Sequence, residues 1–585
     1  MPWLAIAALF LLTPAVPSAG EKDYIFANGF ELLAWHPDAD GDDYGDSAIV
    51  VYDWQPPPGH VADGSDCNDA DAGIHPGAAD DPDAAVIDSN CDGIDGDLAR
   101  AVFVAASGID SGSCATPASA CATPAYALTQ ISAQRSQVYL QVGNYAGPLL
   151  ISVDAALFGG YDADWQRTPL GVAGPVVTLL GGRYLGAVSP IQGQFVSVFI
   201  GPAHQVRLAD IEVIGPEANV QSAEGHGLSS YAIFVEPGTQ LTMDRCRVLQ
   251  GNGADGASGT VGLDAPSLAA APGGSSGGDA ASVFTCNSTS RGSPGAAVNN
   301  ACSSVPSTRT TRSGAGGAGG TADSSCPFDL NARPGIAGQP ADFVQGNAGQ
   351  NGIAGLVCMP GGDGRPGLTV DGSGGAGVES NRIVDGLWIS AAGLAGGTGE
   401  NGSGGGGGGG SGGCDTGTDA YGAGGGSGGA GGCAARSGGS GGHGGGSSFG
   451  VYLRSAQAVI HQTTFLRGNG GRGGDGGAGG MPQPGGSSGP GGLGAIAVLG
   501  GGHGGAGARG GAGGGGGGGR GGSVYGVYAE GPLDVAGSGN QFLGGTPGLP
   551  GFGGPGGFPG VANGQAGFDG ALGTIGVCVT GNNCN

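Results

Sequence analysis

The chain has 585 residues, of which 140 are glycine, and only 11% are charged, with a formal net charge of −27. This length allows two or more domains. The acidic balance argues against nucleic acid and anionic membranes as partners, because both require a basic face. No apolar run reaches the roughly 18 residues of a membrane-spanning helix, so we expect no membrane span.

Residues 1–20 predict a signal peptide. The apolar run 3–12 is short and is followed by small residues that end in Ser18, Ala19 and Gly20. This arrangement is typical of a cleaved secretory leader. We therefore expect a secreted protein, extracellular or displayed on the cell surface. Residues 21–37 form a lead-in segment to which we assign no function.

An acidic segment follows at residues 38–99. Residues 38–97 contain 17 aspartates and neither lysine nor arginine. So many carboxylates repel one another and oppose compaction. The segment is therefore either a solvated acidic linker or a module that cations neutralise.

The spacing of the oxygen-bearing residues favours the cation. Aspartates recur at every second position after Asp38, which is the ligand rhythm of a calcium loop without its final glutamate. A second loop begins at Asp88, and a third cluster lies between the two. Oxygen ligands alone suit a hard cation, calcium ahead of magnesium. The candidate ligands are Asp38, Asp40, Asp42, the Tyr44 carbonyl and Asp46; Asp63, Asp66, Asp69 and Asp71; and Asp88, Asn90, Asp92, the Ile94 carbonyl and Asp97.

Segments 38–46, 59–77 and 90–97 resemble the MopE-type metal-binding motif of secreted bacterial proteins, in which a "DxDGDGYGD" loop precedes "DCDDxDxxIHPGA" and "DxxCDGxDxD". The resemblance implies a metal-binding module with Cys67–Cys91 as its only bridge. The family is named after a copper-binding protein, so copper is the alternative cofactor. Only His60 and His75 offer soft ligands for it, and calcium remains our expectation.

The 13 cysteines mostly come as close pairs. In an exported chain such pairs are typical of disulfides that staple loops. Cys246 is left over within an apolar segment and is expected to be a buried free thiol. Beyond Cys67–Cys91, the spacing does not fix the connectivity. The close pairs are Cys67/Cys91, Cys114/Cys121, Cys286/Cys302, Cys326/Cys358, Cys414/Cys433 and Cys578/Cys584.

Residues 100–250 are rich in predicted β-strands. The runs 138–142, 149–153, 176–180, 195–200 and 206–214 are β-branched or aromatic and are bounded by Gly, Pro or Asp. Only 125–131 predicts a short helix.

A weak repeat continues through residues 251–585. The segment 231–236 recurs at 449–454 and 525–530, with a fainter copy from Ile383 through 387–389. Short strands of this kind need stacked neighbours, which is the logic of a solenoid.

The repeat, and the entry at 101–110, 121–128 and 138–145, resemble secreted right-handed parallel β-helix proteins of the pectin-lyase-like class. The resemblance implies a mainly β fold, a right-handed parallel β-helix that carries the small metal-binding module at its N-terminus. It covers 100–250 well and the later repeats loosely.

Glycine-rich tracts separate the later repeats. Glycine recurs every third residue in 470–480 and from Gly548 to Gly560, which matches the three residues per turn of polyproline II. One interpretation is ordered extended helices that bond through their backbones, since no Cβ separates them. The other is a flexible linker, and the sequence leaves both open.

Two functions remain. The first is a calcium-stabilised, non-catalytic structural or adhesive protein that binds an extracellular glycan, the matrix or another cell surface. The second is a polysaccharide lyase or glycoside hydrolase, which needs converging carboxylates or a base beside a cation. Outward charges on strands are usually a solvated face, so we expect no catalytic residue. The best catalytic cluster would be Asp210, Glu212, Asp244, Arg245 and Arg247, with Asp385 further along.

Overall fold

A computed structural model describes residues 32–170, 177–183, 193–282, 291–303, 309–322, 332–341, 349, 352–377, 380–415, 419–530, 539–557 and 575–576. The predicted leader and most of the lead-in segment lie outside these residues. Contacts divide the chain into two units. The first is formed by the residues up to Ala101 together with Tyr161–Thr168, and the second by the rest.

The fold is mainly β, as the sequence predicts. Among the described residues the helices are one 3-10 turn, Pro117–Ser119, and α1, Pro124–Leu128, which Thr123 caps by accepting from the Tyr126 amide. No helix in this part of the chain is long and apolar enough to cross a bilayer. The strands, in chain order, are β1 Leu33–Pro37, β2 Val51–Asp53, β3 His60–Val61, β4 Ala101–Val104, β5 Gln137–Gln141, β6 Gly143–Ala146, β7 Leu149–Ile151, β8 Ala155–Tyr161, β9 Val177–Leu180, β10 Gly182–Arg183, β11 Phe195–Ile200, β12 Gln205–Ala209, β13 Ile211–Ile214, β14 Ser230–Val235, β15 Gln240–Asp244, β16 Arg247–Leu249, β17 Ala281–Ser282, β18 Asn299–Cys302, β19 Arg309–Arg312, β20 Arg382–Val384, β21 Leu387–Ile389, β22 Cys414–Asp415, β23 Asp419–Tyr421, β24 Ser448–Leu453, β25 Gln457–His461, β26 Thr464–Arg467, β27 Val524–Ala529, β28 Gln541–Gly544 and β29 Ile575–Gly576.

Three larger sheets organise the second unit. Sheet I has the order β10-β11-β14-β24-β27-β29, with β7 also paired to β11; sheet II is β25-β15-β12-β8-β5-β4; and sheet III is β28-β26-β16-β13-β9-β6. All pairs along sheet III are parallel, as are those from β11 to β29 in sheet I and from β8 to β25 in sheet II. From β5 to β16 the chain visits sheets II, III and I in a fixed cyclic order, apart from the short antiparallel strand β10.

The main apolar core is built by residues in register on successive strands. Val198, Ile233, Val451 and Val527 occupy matching positions on four neighbouring strands of sheet I. All four side chains are fully buried in one cluster. Burying a side chain of this size stabilises the fold by about 1.5–3 kcal/mol. The parallel register therefore repeats the same contact at every level.

The other face of sheet I is also buried. Tyr231 stacks on Phe449, with ring centroids 5.1 Å apart, and Phe449 stacks on Tyr525 at 5.9 Å. A parallel stack runs through Phe234 and Tyr452. Strands buried on both faces read as continuous apolar runs, which explains why these segments show so little alternation.

The main sequence repeat is confirmed by this register. Tyr231 pairs with Phe449, and Phe449 pairs with Tyr525, so the three copies are neighbours in one parallel sheet. The fainter copy at Ile383 is wrong. It lies in the antiparallel hairpin β20–β21, whose two-residue turn is formed by Asp385 and Gly386.

The glycine-rich tracts are ordered, so the flexible-linker alternative is wrong for their described parts. Their backbone amides bond to neighbouring tracts with a three-residue period. Residues 424–426 donate to three different segments, at the carbonyls of Gly278, Gly317 and Gly502, with N···O distances of 2.8, 2.8 and 3.0 Å. Three consecutive amides therefore bond to three different neighbours, a pattern that a conformation with three residues per turn allows.

Close backbone approach explains the choice of glycine. A Cβ added to Gly425 would lie 2.0 Å from the carbonyl oxygen of Gly408, and one added to Gly407 would lie 1.8 Å from that of Ala315. Neither residue has a positive φ. Glycine is required here because any side chain would separate the segments, and not because of an unusual backbone conformation.

Candidate metal centre

Two acidic loops meet in the first unit. Strand β1 lies between β2 and β3 in an antiparallel sheet, and the loop that starts at Asp38 follows β1 directly, while the second loop follows β3. The Gly45 amide donates to the Asp63 carbonyl at 2.9 Å, and the Asp66 amide donates to the Gly45 carbonyl at 3.2 Å. The two loops are therefore joined at Gly45.

Glycine makes this approach possible. A Cβ on Gly45 would lie 2.6 Å from the Pro37 carbonyl oxygen, and a Cβ on Gly64 would lie 2.2 Å from the His36 ring. Both distances are far inside van der Waals contact. The glycines of the motif therefore let the loops close on each other.

Five carboxylates converge where the loops meet. Asp38, Asp40 and Asp42 form one group, and Asp40, Asp66 and Asp69 form another; within each group the oxygens lie within 4.8 Å of one another. Asp40 belongs to both groups. We name these five residues the Asp40 cluster. A third group combines Asp66 with Cys67 and Cys91, whose sulfurs are bonded to each other and are not free ligands.

Local hydrogen bonds satisfy one oxygen of most of these carboxylates. Asp42 Oδ1 accepts from the Tyr44 amide at 2.9 Å, and Asp66 Oδ1 accepts from the Asn68 amide at 2.9 Å. Such bonds are typical of Asx turns. They fix the direction of the second oxygen of each carboxylate.

Asp69 and Asp38 are held in the same way. Asp69 Oδ1 accepts from the Ala39 amide at 2.7 Å, and Asp38 Oδ1 from the Gly41 amide at 2.7 Å. The bond from Ala39 crosses between the loops and brings Asp69 to the Asp40 cluster.

Several of the remaining oxygens of these carboxylates lack hydrogen-bond partners in the described part of the chain. Both oxygens of Asp40, Oδ2 of Asp42 and Oδ2 of Asp66 are buried and have no hydrogen-bond partner among the described residues. An unsatisfied polar atom that water cannot reach is unfavourable, and a charged one is more so. Desolvation raises the pKa of Asp40, and the neighbouring carboxylates of Asp42 and Asp66 raise it further. A bound cation would remove all of these penalties.

The second predicted loop uses its oxygens differently. Asp88 accepts from the Asp92 and Gly93 amides, and Asp92 accepts from the Ile94 and Leu98 amides. Within the described residues, Asp88, Asp92 and Asp97 form no converging group. A cation at this loop stays a prediction, and the backbone bonds alone account for its shape.

The other predicted ligands also serve local turns. Asp46, Asp63, Asp71 and Asp97 each accept from an amide two residues ahead, and none belongs to a converging group in the part of the chain that the structure describes. Asn90 accepts from the Asp92 amide and donates to the Gly96 carbonyl. The Tyr44 ring stacks on the His75 ring, with centroids 5.1 Å apart. The Ile94 side chain is buried.

Two arginines from outside residues 38–97 offset part of the acidic charge of this segment. Arg167 Nη1 lies 2.5 Å from Asp95 Oδ2 and from the Asp83 carbonyl, and the Arg167 and Asp95 side chains are 0% and 1% exposed. Arg100 also pairs with Asp81 at the surface. The acidic segment therefore has positive neighbours, although it contains neither lysine nor arginine itself. No local signal could have revealed Arg167, because it lies 72 residues beyond Asp95.

Histidine takes no part in the converging groups of the described residues. His60 Nδ1 lies 3.2 Å from the Pro58 carbonyl, and His75 Nδ1 lies 3.1 Å from the Pro76 carbonyl. Both contacts are typical of structural turn residues, so the donor set is all oxygen.

No protein-family model matches the chain, and neither a curated protein nor a solved structure is detectably similar to it. The physical arrangement of its own residues therefore has to support any assignment of function.

Four disulfides lie in the described part of the chain. Cys67–Cys91 and Cys114–Cys121 join close pairs, as the spacing suggests. The close pairing is wrong for the later ones. Cys302 bonds to Cys433 and Cys358 bonds to Cys414, across 131 and 56 residues, because the tracts bring distant segments side by side. We call these two the long-range disulfides. Cys286, Cys326, Cys578 and Cys584 lie outside the described residues.

Cys246 is a free buried thiol, as predicted. Burial raises its pKa to about 12. A thiol of this kind stays protonated at neutral pH and is a poor nucleophile.

The charged cluster considered for catalysis forms ion pairs. Asp210 accepts two hydrogen bonds from Arg245, at 2.9 and 2.8 Å. Glu212 pairs with Arg247, and Asp244 pairs with Arg207. Glu212 and Arg247 are register partners on β13 and β16. Asp385 lies in the turn between β20 and β21, apart from these pairs in the chain.

Proposed function

We propose that this chain is a secreted or surface-displayed, non-catalytic structural or adhesive binding protein, and that calcium stabilises its first unit. The observation that carries the calcium assignment is the set of four buried carboxylate oxygens without partners, shared by Asp40, Asp42 and Asp66. The resemblance to the MopE-type metal-binding motif points in the same direction.

The donor set favours calcium over copper. Calcium takes six to eight oxygen ligands, often carboxylates and carbonyls, in a flexible geometry. The Asp40 cluster supplies carboxylates in two groups of three that share Asp40. Copper prefers imidazole or sulfur ligands, and the converging groups of the described residues contain no histidine and no free thiol.

We further propose that sheets I, II and III are the faces of a right-handed parallel β-helix. The fixed cyclic order in which the chain visits them supports this, as does the parallel register of the repeats. A stack of this kind offers long faces to an extended partner such as a glycan, the matrix or another cell surface.

An exported location is proposed on two grounds. Disulfides persist in oxidising compartments, and four lie in the described residues. The predicted signal peptide agrees with them.

A binding role is favoured over a lyase or glycosidase because of the ion pairs. Hydrolysis needs one carboxylate that is a free acid and another that is a nucleophile or base. Asp210 and Glu212 are both bonded to arginine, and their side chains are 0% and 8% exposed. Buried carboxylates in such ion pairs stabilise the sheet and are not free to react with a substrate.

Calorimetry tests the calcium assignment. The intact mature chain should be used, because Arg167 belongs to the first unit and a fragment that ends near residue 100 would lack it. We expect calcium to bind after chelator treatment, and copper not to compete at equal concentration. Asp40→Asn combined with Asp66→Asn should abolish binding.

The matched control removes two charges from the same unit outside the Asp40 cluster, with Asp43→Asn and Asp53→Asn. It should bind calcium almost normally. The assignment would be refuted by equal binding in the Asp40/Asp66 variant, or by a first unit whose thermal stability is the same with and without calcium.

A further inference from the structure

A cavity of about 410 Å³ lies in the second unit, far along the chain from the Asp40 cluster. Its walls come from residues 222–229, which lead into β14, and from the hairpin β20–β21. Small-ligand sites typically enclose roughly 300–1,000 Å³ and combine apolar walls with a few polar groups. The cavity therefore has the size of a binding site.

The hairpin wall is preformed. Asp385 and Gly386 have φ angles of 52° and 77°, and two positive φ angles in a two-residue turn are typical of the type I′ hairpin. The Trp388 amide donates to the Tyr231 hydroxyl at 3.3 Å. The Trp388 ring packs edge-on against Tyr528, with centroids 5.0 Å apart. These contacts fix the indole before any ligand arrives.

Two buried polar atoms of the lining residues have no partner among the described residues. They are Nε1 of Trp388 and Nδ1 of His226. Burial lowers the pKa of His226, and the nearby His443 and Arg382 lower it further, so its ring is neutral at neutral pH. A neutral imidazole offers one donor and one acceptor, and the indole offers one donor. Both atoms have almost no accessible surface, however, so a ligand in the cavity contacts other polar groups of its lining.

The other lining groups narrow the chemistry of that ligand. Glu224 and Asp385 provide carboxylate acceptors, Arg382 provides donors, and Leu387 contributes to the apolar wall. Hydroxyl groups pair with both acceptors and donors, while the C–H face of a sugar ring suits an apolar wall. Two carboxylates against one guanidinium disfavour an anionic ligand.

We propose that this cavity binds a neutral sugar unit of a glycan, with Glu224 and Asp385 as acceptors for its hydroxyl groups. This inference gives the binding role proposed above a site and a ligand class.

The test uses the intact, calcium-loaded chain and defined probes. Cellohexaose, laminarihexaose, mannohexaose and xylohexaose are titrated by calorimetry and by tryptophan fluorescence, with hexagalacturonate as the acidic probe. We expect at least one neutral hexasaccharide to bind and the acidic probe not to bind. Glu224→Gln with Asp385→Asn should weaken binding about tenfold or more, because hydrogen bonds to charged acceptors are lost.

A matched control sharpens the result. The matched control, Glu217→Gln with Asp154→Asn, removes two exposed carboxylates of the same unit outside the cavity, and it should bind as the parent does. Circular dichroism checks that every variant folds.

Each remaining outcome decides against the inference in a recognisable way. If a neutral probe binds equally well to the Glu224/Asp385 variant, binding is real but lies elsewhere. If only hexagalacturonate binds, the ligand class is wrong. If no probe binds, the cavity is not a sugar site, while calcium titration of the same sample still reports on the Asp40 cluster.

Discussion

Replacing Gly425 by alanine should loosen the glycine-rich tracts. An ideal Cβ there would lie 2.0 Å from the Gly408 carbonyl oxygen, whereas real Cβ contacts essentially never fall below 3.0 Å. The two segments must therefore separate by about 1 Å. That movement weakens the bonds from Gly405, Gly408 and Ser411 to the segment containing Gly425.

The magnitude follows from these bonds. Each contributes about 0.5–1.5 kcal/mol net, and overpacking costs about 1–3 kcal/mol. We expect a local destabilisation of about 2–4 kcal/mol, which corresponds to roughly 30- to 900-fold faster amide exchange. Hydrogen-exchange mass spectrometry on peptides covering 402–413 and 422–436 measures it.

The control is Gly143→Ala in β6, where the nearest atom to an added Cβ is 3.5 Å away and φ is not positive. It should exchange as the parent does. Unchanged protection in the Gly425 variant, or an equal loss in both variants, would show that close backbone approach is not what orders the tracts.

Three further predictions concern charge and connectivity. Arg167→Met should destabilise the first unit by about 3–5 kcal/mol, because it leaves Asp95 buried without its partner. Adding Asp95→Leu should restore much of this loss in thermal melts of the calcium-saturated protein. Equal melting temperatures for the single and double variants would contradict this. Burial raises the pKa of Asp80 to about 6, so the folded state holds this proton more tightly than the unfolded state, and its contribution to stability falls as the pH rises from about 4 to above 6. At constant calcium, the stability of Asp80→Asn relative to the parent should therefore increase over that pH interval. If the difference in stability between the two proteins does not change with pH, the raised pKa of Asp80 is refuted. Non-reducing peptide mapping should recover both long-range disulfides, and recovery of close-pair peptides instead would contradict the packing of the tracts.

The strands and their repeat could be predicted because they depend on local pattern. Segment 195–200 is β11 residue for residue, and the repeat partners of Tyr231 were identified from similarity alone. The similarity at Ile383 predicts a repeat, but the segment is a hairpin, and Asp385-Gly386 between apolar residues is a strong signal for its turn. In this segment the residues of the turn decide the structure, and the weak similarity to the repeat does not.

The candidate metal centre could be predicted only in part. Sequence spacing found all five members of the Asp40 cluster but placed them in two separate loops. Their union depends on Gly45 and Gly64, whose role is to permit contact between segments distant in the chain. Arg167 could not be found in this way, because it lies 72 residues beyond its partner Asp95.

The parallel sheets themselves explain why the tracts must be rich in glycine. Tracts leave sheet III after β16, β26 and β28, and return to sheet I just before β24 and β27. Stacked strands lie about 4.7–4.9 Å apart, so the tracts begin and end at that spacing. The Gly446 amide bonds to Ala254, and the Gly471 amide bonds to Gly446, directly beside those strand ends. Side chains between the tracts would demand wider spacing than the sheets allow. A three-residue period lets glycine face each neighbouring tract while other positions face solvent. Phe552 is therefore exposed, although every third amide of its tract is hydrogen-bonded to a neighbouring tract.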